Sequence, residues 1–344
     1  SNVNAYKISF STDYLLGQLL MAGPIAGLIL IPAAFLLKPS TYTEKAMKYT
    51  LCGLYIFFFI SSFRGKTEPN WTSAGLVPLM VLAHRSLQQR SVLLKWLWRT
   101  LPLSILLVLF GRIIMIEDVL PVRGIQQRFH AWKKWPQEMK KRTKEWPVVF
   151  SSSYQRASKY WFYSGQLTYS QNHLRDHRNN YNIWPIEESL LGKPVVFMDI
   201  YGVENFSDTM TTPIGKISYR FDSVCYSMAG IQFLPDQPAY EVEAGDSILL
   251  KGKIHLKPAY AYFISSHPEL NFPIKICLMK GRAIINDPLI PLTLQDLLKE
   301  KFEFHLDPEV PADKLDMIFS IEAPGYNPTH NSQRIPLRVV RRSF

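Results

Sequence analysis

Within ten residues, SFRGKTEPNW at 62–71, the chain places two cations, Arg64 and Lys66, a carboxylate, Glu68, an amide, Asn70, and an indole, Trp71. Arginine offers a planar fork of N–H donors that matches two phosphate oxygens, and lysine offers a mobile point charge. Pro69 stiffens the turn and biases Glu68 toward extended backbone, so that Glu68 can orient one of the cations. The chemistry suggested is capture of a phosphate or diphosphate. An ordinary solvated loop carrying an aromatic at the membrane edge accounts for the same composition equally well. A further cation, Arg112, lies inside the apolar run at 101–117. An ionisable group at such depth faces a cavity or snorkels to the edge, and the nearby Glu117 and Asp118 leave both readings open.

Other chemistry is poorly supported. The three cysteines, Cys52, Cys225 and Cys277, form no CxxC and join no Cys/His cluster, which argues against zinc or iron–sulfur sites. Glycine-rich phosphate loops of the GxGxxG or GxxxxGKS type do not occur. Asp199, Asp208, Asp222, His255 and His267 stand at spacings that suggest no hydrolase pair or triad, and read as surface or structural residues.

The elements that must position the 62–71 turn are apolar. Four stretches stand out: Leu15–Leu37, Lys48–Phe63, Trp71–His84 and Trp96–Glu117. Backbone polar groups in lipid must be satisfied internally, so the pattern predicts a transmembrane α-helical bundle of four spans over residues 1–119. Trp71, Trp96 and Trp98 fall where an aromatic belt would sit. Residues 1–150 hold 19 Lys and Arg against 7 Asp and Glu, whereas 151–344 hold 20 against 21. The positive charge thus flanks apolar segments, which fits topology signals and anionic lipid better than nucleic acid. Basic residues in the first and third connections predict a cytoplasmic location for these and an outer location for the C-terminal part. The basic segment 128–146 argues the other way.

Beyond the membrane part, 120–146 reads as a basic interfacial helical segment, with Trp132, Trp135 and Trp146 at the headgroups. Residues 147–215 read as a small α/β unit: strands at Pro147–Phe150, Leu167–Ser170 and Pro194–Asp199, with a helix at Tyr154–Ser164. Residues 216–344 show short strands between turn residues and predict a β-sandwich-like domain, including strands at Ala261–Ser266 and Ile274–Lys280 and a helix at Leu292–Lys301. Tyr154, Gln155, Tyr163, Tyr181 and Trp184 could form an aromatic platform for a sugar or acceptor; core packing explains the same residues.

The segment SFRGKTEPNWTSAGLVPLMVLA resembles the late membrane helices of bacterial multispan glycosyltransferases of the dolichyl-phosphate-mannose protein mannosyltransferase superfamily, glycosyltransferase family 39. Lys66, Glu68, Asn70 and Trp71 occupy the matching positions, with Arg64 adjacent. VVFSSSYQRASKYWFYSGQ at 148–166 and NNYNIWP at 179–185 resemble stretches that follow the last span in these enzymes. The resemblance covers roughly residues 55–205. It implies inverting transfer of a sugar from a polyprenyl-phosphate donor to a lipid, glycan or protein acceptor at the outer face of a bacterial inner membrane. Arg64, Lys66 and Arg112 would hold the donor phosphate, and Glu68, Asn70 and Trp71 would support the loop. It names no certain cofactor; a divalent cation is compatible with the chemistry. The expected partners are membrane lipids, the donor, and an N-terminal membrane half or separate subunit. That missing part would carry the acidic outer loop that activates the acceptor, because Asp13 is the sole acid before the first apolar stretch and its context does not match. The catalytic residues are therefore unknown from this chain, and a non-catalytic membrane-anchored binding subunit is the alternative.

Overall fold

The computed structural model describes residues 7–120, 122–199, 206 and 208–341. The chain divides into two compact units, Ser1–His130 and Ala131–Phe344.

In the first unit, α1 (Ile8–Ala22) stops at Gly23, whose φ of 114° an L side chain would resist. Pro24 follows, and α2 (Gly27–Leu36) resumes at 95° to α1. The amides freed at this break find an acceptor on a distant helix: Ser104 Oγ lies 3.4 Å from Ile25 N and 3.3 Å from Ala26 N. A capping box of Thr41 and Glu44 starts α3 (Tyr42–Ser62), and Glu44 also meets Arg85 at 3.3 Å. A 3-10 turn, Pro69–Gly75, leads into α4 (Leu76–Gln88). The chain then reverses into α5 (Ser91–Ile116), followed by a short turn, α6 (Arg123–Ile125), and a π-helical turn at Gln126–His130. Ala33, Ala34, Leu51, Leu79, Leu82 and Ala83 form the core, where small residues let the helices approach closely.

The expected four-span bundle is not formed. Among the described residues only α5 is long and apolar enough to cross a membrane; the bent α1–α2 pair qualifies only if counted as one span. The reasons are local. α4 has 13 residues and extends about 20 Å, short of a hydrocarbon core of about 30 Å. The first two turns of α3 carry Glu44, Lys45 and Lys48, which shortens its apolar length. Leu15–Leu37, uncharged throughout, is interrupted by the Gly23–Ala26 bend rather than continuous.

The second unit begins with α7 (Trp135–Arg142), then β1 (Val148–Ser151), α8 (Tyr154–Ser164) and β2 (Thr168–Gln171). α9 (Ile186–Leu190) precedes β3 (Val195–Asp199), and a hairpin of β4 (Asp208–Thr212) and β5 (Gly215–Asp222) completes one sheet. Its order is β2-β1-β3-β5-β4, with β1 parallel to both β2 and β3 and the hairpin antiparallel. β1 and β3 read VVFS and VVFMD, nearly all buried, as strands covered on both faces should be. Trp132 and Trp135, expected at a headgroup layer, are instead buried in this unit's core; Trp135 is 2% exposed and packs against Tyr160 of α8.

The rest of the unit contains β6 (Gln232–Pro235), β7 (Tyr240–Glu243), β8 (Ile248–His255), α10 (Pro258–Ser266), β9 (Ile274–Lys280), β10 (Ala283–Asn286), β11 (Lys301–Leu306), β12 (Asp313–Ile321) and β13 (Ile335–Val340). A five-stranded sheet, β10-β9-β12-β13-β7, and a three-stranded sheet, β11-β8-β6, meet through phenylalanines. Phe233 stacks on Phe319 with ring centroids 4.5 Å apart, and Phe302 and Phe304 close around them. The strand expected at Ala261–Ser266 is the body of α10: Pro258 sits in its first turn, and Tyr260, Phe263 and Ile264 bury one helical face. The helix expected at Leu292–Lys301 contracts to a 3-10 turn, Gln295–Lys299.

Candidate functional site

The 62–71 turn is built on fixed neighbours. Ser62 shares a 2.8 Å hydrogen bond with Ser11 of α1, and Tyr14 OH donates to Tyr55 O of α3. Gln18 donates through Nε2 to Pro69 O and accepts from Thr72 at 2.6 Å. Gly17 leaves room for the Pro69 ring, which a Cβ there would overlap. Thr67 and Thr72 are buried, and Trp71 lies 6.0 Å from Phe58 with its outer edge exposed. A turn pinned at Ser62, Pro69 and Thr72 presents residues 63–66 and 70 outward in a defined geometry.

The two loop cations differ. Lys66 forms an ion pair with Glu68 at 2.8 Å, with both side chains largely in solvent. Such a pair is worth little by itself but reduces the net charge Lys66 offers a ligand. Arg64 is exposed and makes no side-chain hydrogen bond or ion pair among the described residues. Asn70 is exposed beside the pair.

Arg112 is exposed on α5, one turn before its end at Ile116. Contacts of Ser11 with Ser62, of Ala26 with Ser104, and of Arg90 with Leu36 order the unit along its length. Asp118 accepts from Gln126 at 3.2 Å, and so is occupied by another partner than Arg112. His130 bonds to the carbonyl of Ile114 at 2.9 Å, closing the chain back onto the end of α5.

The proposed aromatic platform is dispersed. Tyr181 is buried, with its hydroxyl 3.2 Å from Ser158 and its ring against Tyr169 and Trp184. Tyr163 is half-buried at the far end of α8, where Gln137 donates to its carbonyl. Tyr154, Gln155 and Trp184 remain exposed, with Gln155 donating to Tyr154 at 3.3 Å.

The second unit holds a polar cluster that sequence reading missed. Glu187, 5% exposed, accepts from Ser227, from the amide of Ala229 at 2.9 Å and from Tyr260 at 2.6 Å. Burial, then the Glu187 charge, push the Tyr260 and Tyr169 hydroxyls well above the usual tyrosine range. Burial also raises the Cys225 thiol to about 12, so it is unreactive. The only sequence cue was an acid, Glu187, between the apolar positions of a short helix. A second cluster joins Arg220 bidentately to Asp222, which also accepts from Tyr326 at 2.9 Å, while the guanidinium lies over the rings of Phe197, Phe206 and Tyr326. Both clusters are closed, with every charge engaged, and read as structural.

Among the described residues no three His, Cys, Asp or Glu side chains converge as metal ligands. No protein-family model, no curated protein and no solved structure matches the chain.

Proposed function

We propose that this chain is the C-terminal portion of a membrane glycosyltransferase that uses a polyprenyl-phosphate-linked sugar donor. The observation that carries the proposal is the pinned 62–71 turn, which leaves Arg64 exposed and without a side-chain partner among the described residues. The sequence resemblance of this turn and of the 148–185 segment points the same way. As the glycosidic bond breaks, negative charge grows on the lipid phosphate; Arg64 and Arg112 would stabilise it, with Lys66 recruited once it exchanges Glu68 for phosphate. A carboxylate from outside this chain would take the proton of the acceptor hydroxyl. Direct displacement on this plan inverts the anomeric centre. Arg90, Lys95 and Arg99 at the start of α5 favour a cytoplasmic start and an outer, periplasmic end for that helix.

The second reading, a non-catalytic membrane-anchored subunit, draws on the acids near the turn: Glu68 is engaged by Lys66, and Asp13 is a single exposed carboxylate on α1. The test is binding of a polyprenyl phosphate to the full chain in detergent, followed by native mass spectrometry. Arg64→Ala should weaken binding about 10- to 100-fold, the worth of a charge-assisted phosphate contact. In vesicles from cells, Lys66→Cys should react with a membrane-impermeant maleimide from the periplasmic side. Unaltered affinity in Arg64→Ala, or labelling of position 66 from the cytoplasmic side only, would remove the phosphate role.

A further inference from the structure

The second unit carries its own charge asymmetry. Residues 131–165, which include α7 and α8, hold eight Lys and Arg against two acids, whereas 166–344 hold 18 against 21. The two helices lie side by side. Trp135 of α7 packs on Tyr160 of α8, Gln137 donates to the carbonyl of Tyr163, and Lys159 lies 5.6 Å from the ring of Trp132. Because Trp132, Trp135 and Met139 turn into the core, the outward side of α7 is left to Gln137, Glu138, Lys141 and Arg142, with Lys134 at its N-cap and Lys144 and Glu145 just beyond, a mainly basic strip that includes two acids. α8 does the reverse. It buries Ala157 and Tyr160 and presents Tyr154, Ser158 and Phe162, at i, i+4 and i+8, to the outside.

The exposure on α8 is unusual for such side chains. Phe162 is 81% exposed, and its single ring partner among the described residues is Tyr163, in an edge contact. Ile183 and Trp184, 77% and 45% exposed, adjoin the same strip through Tyr181, which reaches Ser158. A strip of rings bordered by lysines is the composition that settles at a bilayer interface. Aromatic rings take the headgroup–acyl boundary, and lysines extend to anionic headgroups.

We infer that the α7–α8 face of the second unit is a peripheral membrane surface, in which Phe162, Tyr154 and Trp184 enter an anionic headgroup layer while Lys134, Lys141 and Lys144 contact its phosphates. This goes beyond the glycosyltransferase reading and does not depend on it. It gives the exposed part of the aromatic set a lipid partner, and it leaves the sugar chemistry to the 62–71 turn.

The test uses the full chain in nanodiscs, in a Cys52→Ser background where the remaining thiols, Cys225 and Cys277, are buried. An environment-sensitive dye is attached at Phe162→Cys and, as a control, at Tyr262→Cys on α10, where Tyr262 is also largely exposed. The lipid is phosphatidylcholine alone or mixed with phosphatidylglycerol, with a quencher near the glycerol backbone. Position 162 should be quenched strongly in the mixed discs and position 262 should not. Each lysine near an anionic surface is worth about a fivefold factor in partition. Lys→Glu at 134, 141 and 144 should therefore return quenching at 162 to the phosphatidylcholine level, and Lys→Gln at the same sites should fall between. Equal quenching at 162 and 262 would overturn the inference. So would a blue-shifted dye at 162 that lipid quenchers cannot reach, which would mean that a protein covers the face.

Discussion

Glu187 makes the sharpest quantitative test of how the second unit is held together. Its carboxylate joins three places far apart in the chain: its own helix α9, the Ser227–Ala229 turn, and Tyr260 on α10. Ser227 and Tyr260 are fully buried, so Glu187→Ala strands two hydroxyls and an amide in a dry interior. A hydrogen bond to a charged group contributes about 1.5–3 kcal/mol, and an orphaned buried donor costs about 1–3 kcal/mol. Against this stands the relief of a carboxylate that no longer needs desolvation. The net expectation for Glu187→Ala is a loss of about 3–5 kcal/mol. Glu187→Gln keeps the shape and one good acceptor, and should lose about 1–2 kcal/mol. The assay is hydrogen exchange of the full chain in detergent, read at the amides of α9, α10 and the Ser227–Ala229 turn, together with urea unfolding monitored by tryptophan fluorescence. Pairing Glu187→Gln with Tyr260→Phe in a double-mutant cycle isolates their coupling. If Glu187→Ala stays within about 1 kcal/mol of the parent by both measures, the network is not what holds these elements together. The tyrosines add a pH signature. Tyr169 and Tyr260 are held protonated in the fold, their values raised above the ordinary 10. Their contribution is complete below pH 10 and is lost as the unfolded chain deprotonates above it, so an alkaline unfolding limb should start there.

Two other outcomes follow from the geometry. Gly17→Val should push the Pro69 ring out of its seat, lower the melting temperature of the first unit by an overpacking cost of about 1–3 kcal/mol, and weaken polyprenyl-phosphate binding, whereas Arg64→Ala should weaken binding with the melting temperature unchanged. In the second unit, burial and the nearby Arg178 press His330 down to about 4 from 6.5. Its contribution is present above pH 6.5 and is lost as pH falls toward 4, so acid unfolding monitored by circular dichroism should soften over that window, and His330→Asn should flatten it.

How far the fold could be read from the residues depended on the range of the interactions. Tyr154–Ser164 as a helix and Ile274–Lys280 as a strand were legible to the residue, because periodicity and flanking turn residues act locally. Ala261–Ser266 misled because its aromatic and β-branched content favours a strand, while the spacing of Tyr260, Phe263 and Ile264 and the placement of Pro258 belong to a helix. The spans misled because apolar content records hydrophobicity and not helical length: Gly23 and Pro24 break one helix, and the charges in the first turns of α3 shorten another. The cations of the 62–71 turn were legible as types, but the pairing of Lys66 with Glu68 and the freedom of Arg64 required coordinates. Glu187 showed in the sequence only as an acid among apolar positions, and its partners could not be read because they lie 40 to 73 positions away.

The hydroxyl of Ser104 at the Gly23–Pro24 bend sets an order of assembly. The amides of Ile25 and Ala26 have their acceptor on a helix made some 80 residues later in synthesis. Until α5 is made, the start of α2 lacks the acceptor for these donors, so the bend can take its final shape only when the last long helix of the unit arrives.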